Sequence, residues 1–137
     1  MKAHVADLRR ERLLELLFAA EDVPILRRRL TECAARAGLG EPRRSDFVLA
    51  VHEVACNAVE HGGGAGRLLL YRCDGTLHCR VSDHGPGFTE EAIPPDPPGL
   101  CGGEGGRGLW LTQQLTDRLE IAAGAVGAVV TLAMGLR

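Results

Sequence analysis

Apolar and polar residues alternate along the chain with two different periods. From Asp22 onward, Leu26, Leu30, Cys33, Ala34 and Ala37 recur at three- and four-residue spacing, which places them on one face of a helix. Asp22 serves as its cap, Pro24 suits its first turn, and Gly38 with Gly40 supplies the stop. A second helix, capped by Ser45 or Asp46, runs to about His61, where Gly62-Gly63-Gly64 ends it. Phe47, Ala50, Val51, Val54, Ala55 and Ala58 form its core face. Glu53, Asn57 and His61 repeat every four residues along the border of that face, a polar stripe suited to facing a pocket.

Downstream the period shortens to two. Leu68 to Cys73 and Thr76 to Ser82 predict a hairpin around Asp74-Gly75, residues that tolerate the positive φ angles of a two-residue turn. Asp83 then ends a strand. Residues 84 to 106, rich in Pro and Gly with few large apolar anchors, are too long for an ordinary connection and predict a functional lid or disordered chain. Leu109 to Leu115 predicts a helix opened by the glycine run. Strands follow at about Arg118 to Ala122 and Ala128 to Met134, joined by a Gly124/Gly127 turn. Residues 12 to 18 have helical propensity but form a short segment before a fresh helix start, so the residues themselves leave its type open. Helices followed by an antiparallel-rich sheet predict a two-layer α/β sandwich of the α+β kind.

The chain's 137 residues, 45% of them apolar, suit one domain over residues 1–137. A formal net charge of −2 and a pI near 6.2 argue against nucleic acid as a partner, although Arg9, Arg10, Arg12 and Arg27 to Arg29 are locally basic. There is no apolar run of about 18 residues, and the N-terminus lacks a secretory pattern. The expectation is a soluble cytoplasmic protein without membrane contact. Five cysteines at irregular spacing fit reduced thiols. Cys73, His78 and Cys79 lack the paired spacing of a metal site and fit strand or buried thiols.

Candidate chemistry gathers in three places. The Asn57 amide oxygen suits Mg²⁺, which takes oxygen ligands and shares its shell with phosphates and water. Glu53, one turn away, can accept a proton from a hydroxyl or water attacking a γ-phosphate. His61 caps the helix C-terminus, contacts phosphate, or only packs. Asp83 can accept a hydrogen bond from an exocyclic amine, and Gly85 and Gly87 let backbone approach a flat base, a combination that favours adenine. Taken singly, a Glu/Asn pair fits a solvated helix edge, and Asp83-His84-Gly85-Pro86-Gly87 fits a strand-ending turn. Gly103 to Gly108 matches G-x-G-x-x-G, but it follows a late loop instead of a first strand, so the dinucleotide pattern fails in context. Backbone N–H groups of Gly106 to Leu109 at a helix N-terminus make an anion site, to which Arg107 adds charge.

In this order and at these separations the residues resemble the adenine-nucleotide site of the GHKL superfamily, which includes gyrase, the large heat-shock chaperone, histidine kinases and the mismatch-repair ATPase. Glu53-x-x-x-Asn57-x-x-x-His61 resembles its N box, Asp83-x-Gly85-x-Gly87 its first glycine box, and Gly106-x-Gly108-Leu109, preceded by Gly105, its second. The resemblance covers about residues 13 to 135. The short chain is most similar to the stand-alone anti-sigma-factor serine/threonine kinases of bacteria.

The resemblance implies a Bergerat fold with a mixed, mainly antiparallel sheet, helices on one face, and residues 12 to 18 as its first strand. It implies ATP and Mg²⁺ as cofactors. Asn57 would hold Mg²⁺, Asp83 would bind the adenine amine, and residues 84 to 106 would form the ATP lid. His61, Gly85, Gly87, Gly105, Gly106, Arg107, Gly108 and Leu109 would line the nucleotide. Glu53 would activate a serine hydroxyl on an anti-anti-sigma antagonist, a sigma factor would be the second partner, and a homodimer is left open. Two departures stand out. Glu104 occupies the region where well-known members carry a basic residue near the γ-phosphate, leaving Arg107 as the nearest substitute, and Ala128 replaces a threonine hydroxyl near the adenine. The expected function is that of an ATP/Mg²⁺-dependent protein kinase. The alternative is an ATP-binding regulatory module that docks a partner without efficient catalysis. A catalytic domain of the histidine kinase type is a third option, but no phospho-accepting helix pair accompanies it here.

Overall fold

The structure, a computed structural model, describes residues 10–83, 104–123 and 127–136. Its first element is β1 (Glu11–Ala19), so residues 12 to 18 are strand, as the family resemblance implies. Leu, Glu and Arg favour helix in isolation, but here Leu14 and Phe18 enter the core while the backbone pairs with the next strand, and tertiary context overrides propensity. A 3₁₀ turn over Ala20–Asp22 leads into α1 (Val23–Ala37). Its predicted apolar face is buried at every position, and Gly38 closes the helix in the left-handed conformation at φ 103°. Asp22 precedes the helix without a side-chain cap; its carboxylate accepts the Ala19 N–H at 3.0 Å.

The second helix, α2 (Arg43–His61), begins before the expected Ser45 or Asp46 cap. Glu41 does the capping instead. Its carboxylate accepts the Ser45 N–H at 3.0 Å and the Ser45 hydroxyl at 2.6 Å, and those bonds hold its carboxyl below the usual range. Then β2 (Ala65–Cys73) and β3 (Thr76–Asp83) form the expected hairpin, with Asp74 at φ 51° and Gly75 at φ 75°. Positive φ at both turn residues matches the right-handed twist of the strands.

The remaining elements are α3 (Glu104–Leu115), β4 (Arg118–Ala123) and β5 (Ala128–Gly135). Helix α3 starts five residues before the predicted Leu109 and takes in the glycine run. Glycine costs about 0.8–1.0 kcal/mol per helical position relative to Ala, so propensity alone predicts a later start. Packing against α2 supplies the compensation: Thr112 is fully buried and its hydroxyl donates to the Ala50 carbonyl at 3.3 Å. The Gly85 and Gly87 positions, with the rest of 84–103, lie outside the described residues.

The five strands are ordered β1-β2-β3-β5-β4, and every pairing is antiparallel. Helices cover one face, where Leu68, Leu70, Leu77, Cys79, Val81, Val130, Leu132 and Met134 meet Leu26, Leu30, Phe47, Val51 and Val54. Strand alternation puts Asp83 on that same covered face, two and four residues beyond Val81 and Cys79. Burial of Cys79 pushes its thiol far above the ordinary range. On the opposite face Tyr71 stacks on His78 at 4.8 Å, with the Arg10 guanidinium over the Tyr71 ring. Among the described residues no helix is long and apolar enough to cross a membrane.

Candidate functional site

The strand order decides where Asp83 stands. Because β5 pairs with β3, with Ser82 opposite Val129, the C-terminal end of β3 lies beside the start of β5. The Ala128 N–H donates to Asp83 Oδ1 at 3.2 Å, which orients the carboxylate from its own sheet. From the helical layer, Gly62, the residue that follows α2, closes on the same group. A Cβ on Gly62 would lie 2.5 Å from Asp83 Cγ, and a Cβ on Gly127 would lie 2.6 Å from Asp83 Oδ1 and 2.1 Å from its carbonyl oxygen. Only glycine fits at either position. Asp83 is therefore clasped between the end of α2 and the start of β5, and it keeps partial exposure.

The polar stripe on α2 is graded along its length. Glu53 is half-buried, Asn57 is buried with 8% of its surface exposed, and His61 is exposed beside Glu60 at 3.7 Å. Asn57 lies five residues before Gly62, so the stripe leads into the turn that touches Asp83. A buried amide on a stripe that leads to the Asp83 clasp suits a ligand with a hydrogen-bonding edge and a metal-bearing group.

The third expected component is the glycine run, whose backbone now belongs to α3. With the helix starting at Glu104, the N–H groups without intrahelical partners are those of its first turn, up to Arg107, instead of Gly106 to Leu109. Gly105, Gly106, Arg107, Gly108 and Leu109 thus occupy the first two turns of a helix packed on α2. Two contributors were missed in the sequence: Gly62, taken only as a helix stop, and Gly127, taken only as a turn residue. Their second role, clearance for Asp83, depends on strand register and leaves no local mark.

Comparison with known proteins yields a consistent set of likenesses. Residues 17–134 match the family model described as histidine kinase-like ATPase domain. The signal transduction histidine-protein kinase AfsQ2 of Streptomyces coelicolor is 41% identical over 54 residues, 39% of this chain and 10% of that protein. The chain spans about a tenth of that relative's length. Among solved structures, the RsbU and RsbW domains of Rv1364c from Mycobacterium tuberculosis align with a TM-score of 0.65 at 23% identity, over 90% of this chain and 32% of that one. The nucleotide-free catalytic domain of histidine kinase ThkA aligns at 0.56 and 13% identity, covering 90% of this chain and 97% of that one. The Acinetobacter baumannii histidine kinase AdeS aligns at 0.56 and 15% identity, over 92% and 69% of the two chains. At these identities the structural likeness is one of fold, and it agrees with a two-layer α+β sandwich.

Proposed function

The chain belongs to the histidine kinase-like ATPase domain family, and from that premise we propose that it binds Mg²⁺-ATP, phosphorylates a serine or threonine of an antagonist protein, and holds a sigma factor until that reaction releases it. The observation that carries the nucleotide half is the clasped Asp83 carboxylate, oriented by the Ala128 N–H and kept clear by Gly62 and Gly127. A fixed acceptor at a strand end suits the exocyclic amine of adenine. Asn57 offers a neutral oxygen to Mg²⁺, and the first turn of α3 offers N–H groups and a positive dipole end to phosphate oxygens. The Ala128 substitution removes a side-chain hydroxyl but leaves the backbone donor to Asp83 in place.

Bound Mg²⁺-ATP would supply the transferable γ-phosphoryl group. Glu53, half-buried one helical turn before Asn57, would take the proton of the seryl hydroxyl as its oxygen attacks phosphorus and the bond to the ADP oxygen breaks. The similarity to stand-alone anti-sigma-factor kinases supports this assignment of partners. A second reading rests on Glu104. An acidic residue in the first turn favours the helix dipole but repels a phosphate, and this arrangement favours nucleotide binding without efficient transfer.

Incubation with Mg²⁺-ATP and candidate antagonist proteins separates the two. Phosphoserine or phosphothreonine that disappears with Glu53→Ala, while nucleotide affinity stays unchanged, supports the kinase. Measurable Mg²⁺-ATP binding with no transfer to any antagonist overturns it in favour of the binding module.

A further inference from the structure

Beside the Glu53-Asn57 stripe, α2 carries a second pair of chemically active side chains at the same spacing. His52 Nε2 lies 3.5 Å from Cys56 Sγ, one helical turn away. We propose that His52 and Cys56 form a binding site for a thiophilic divalent cation of the Zn²⁺ class, separate from the nucleotide's Mg²⁺ and independent of whether the chain acts as a kinase. The separation carries the case. A tetrahedral ion with about 2.3 Å to sulfur and about 2.0–2.1 Å to nitrogen spans about 3.6 Å between those two ligand atoms, so the pair can close on an ion with almost no rearrangement.

Two further features agree. His52 Nδ1 is buried without a hydrogen-bond partner, so Nε2 is the ring nitrogen open to a ligand, and it is the one facing the thiol. Cys56 is only half-buried and, with Glu60, lines a cleft of about 350 Å³ that Ala20, Val23, Pro24 and Val59 complete. The described residues hold no preformed group of three metal ligands. The site is therefore two protein ligands completed by solvent. Neither His52 nor Cys56 belongs to the residues assigned to nucleotide binding, so the two sites can be tested apart.

The test is titration of the reduced full chain with Cd²⁺ and Zn²⁺, without nucleotide or Mg²⁺. Thiolate-to-cadmium absorption reports sulfur ligation, and calorimetry reports stoichiometry. The expected result is one ion per chain, with the absorption band abolished by Cys56→Ser and kept in a Cys73→Ser/Cys101→Ser double variant. His52→Gln should weaken the ion by roughly tenfold or more. Thermal unfolding checks that each variant folds; should Cys56→Ser fail to fold, His52→Gln and the double variant still decide the matter. A band that survives Cys56→Ser, is lost with Cys73 and Cys101, or is absent from the wild type overturns the proposal. So does equal affinity in His52→Gln, which would mean an adventitious ion only.

Discussion

Substituting Gly127 by Ala tests whether the clasp around Asp83 is a real steric constraint. The added Cβ would lie 2.1 Å from the Asp83 carbonyl oxygen, 2.6 Å from Oδ1 and 2.7 Å from the carbonyl carbon. Carbon contacts are most favourable at about 3.5–4.0 Å, so about 1 Å or more of movement is needed. The closest obstacle is β3 backbone, which cannot rotate away, so the start of β5 must shift and the 3.2 Å bond from Ala128 to Asp83 must lengthen or break. Overpacking costs about 1–3 kcal/mol. Losing a hydrogen bond to a charged acceptor adds about 1.5–3 kcal/mol. The stiffer unfolded chain returns about 0.4–1 kcal/mol. The net expectation is a loss of about 2–5 kcal/mol, read as a lower urea midpoint with unchanged slope. Gly40→Ala is the matched control: nothing lies within 4 Å of its added Cβ, so it should be neutral or stabilise by up to about 1 kcal/mol. A Gly127→Ala protein that unfolds at the wild-type midpoint would refute the clasp.

Three other outcomes are expected. Asp83→Asn should weaken adenine nucleotide binding by about 1–3 kcal/mol, because an amide in that place pairs imperfectly with both the Ala128 N–H and an exocyclic amine; equal affinity by calorimetry would remove Asp83 from the base pocket. Burial, aided by Arg10, Arg118 and Arg80 against Glu120, holds the His78 imidazole below its ordinary 6.5. The unfolded chain therefore takes up that proton first as pH falls, so the stability contributed is complete above pH 6.5, declines below it and is lost once the folded-state value is passed. His78→Phe, which keeps a ring on Tyr71, should show a smaller drop in urea midpoint between about pH 7.5 and about pH 5.5 than wild type, and identical drops would count against this role. Arg43 donates to Asp117 at 2.7 Å and to the Gly135 carbonyl at 3.0 Å, tying the start of α2 to the far end of the sheet. Its replacement by Leu should cost about 1 kcal/mol, since the ion pair is partly exposed, and a loss below measurement error would reduce it to a surface contact.

What could be read from residue order differs by element, and the reason is the range over which each is decided. Helix α1 was legible in its face, its stop and its Pro, which lie within one local window, and all five predicted core positions are buried; the Asp22 cap was not, because that carboxylate turns back to the Ala19 N–H. The hairpin was legible for the same reason, since Asp74 and Gly75 specify the turn themselves. Residues 12 to 18 were not, because their choice of strand depends on β2, about fifty residues away in sequence. The start of α2 was missed because Glu41 caps it from before Pro42, and the start of α3 because α2 supplies what glycine withholds.

The candidate site divides along the same line. Asp83, Asn57 and Glu53 could be named from residue type and period, since a strand end and an i, i+4 stripe are local patterns. The clasp could not, because glycine carries the same letter whether it bends a chain or makes room for a neighbour. Gly127 makes room only because β5 pairs between β3 and β4; had the last strand joined the free edge of β4, Gly127 would face no carboxylate and Ala128 would have no acceptor. The clasp around Asp83 is thus a consequence of strand order as much as of its polar residues. A substitution that leaves Asp83 untouched but alters the β3–β5 register should therefore damage nucleotide binding as severely as removing the carboxylate itself.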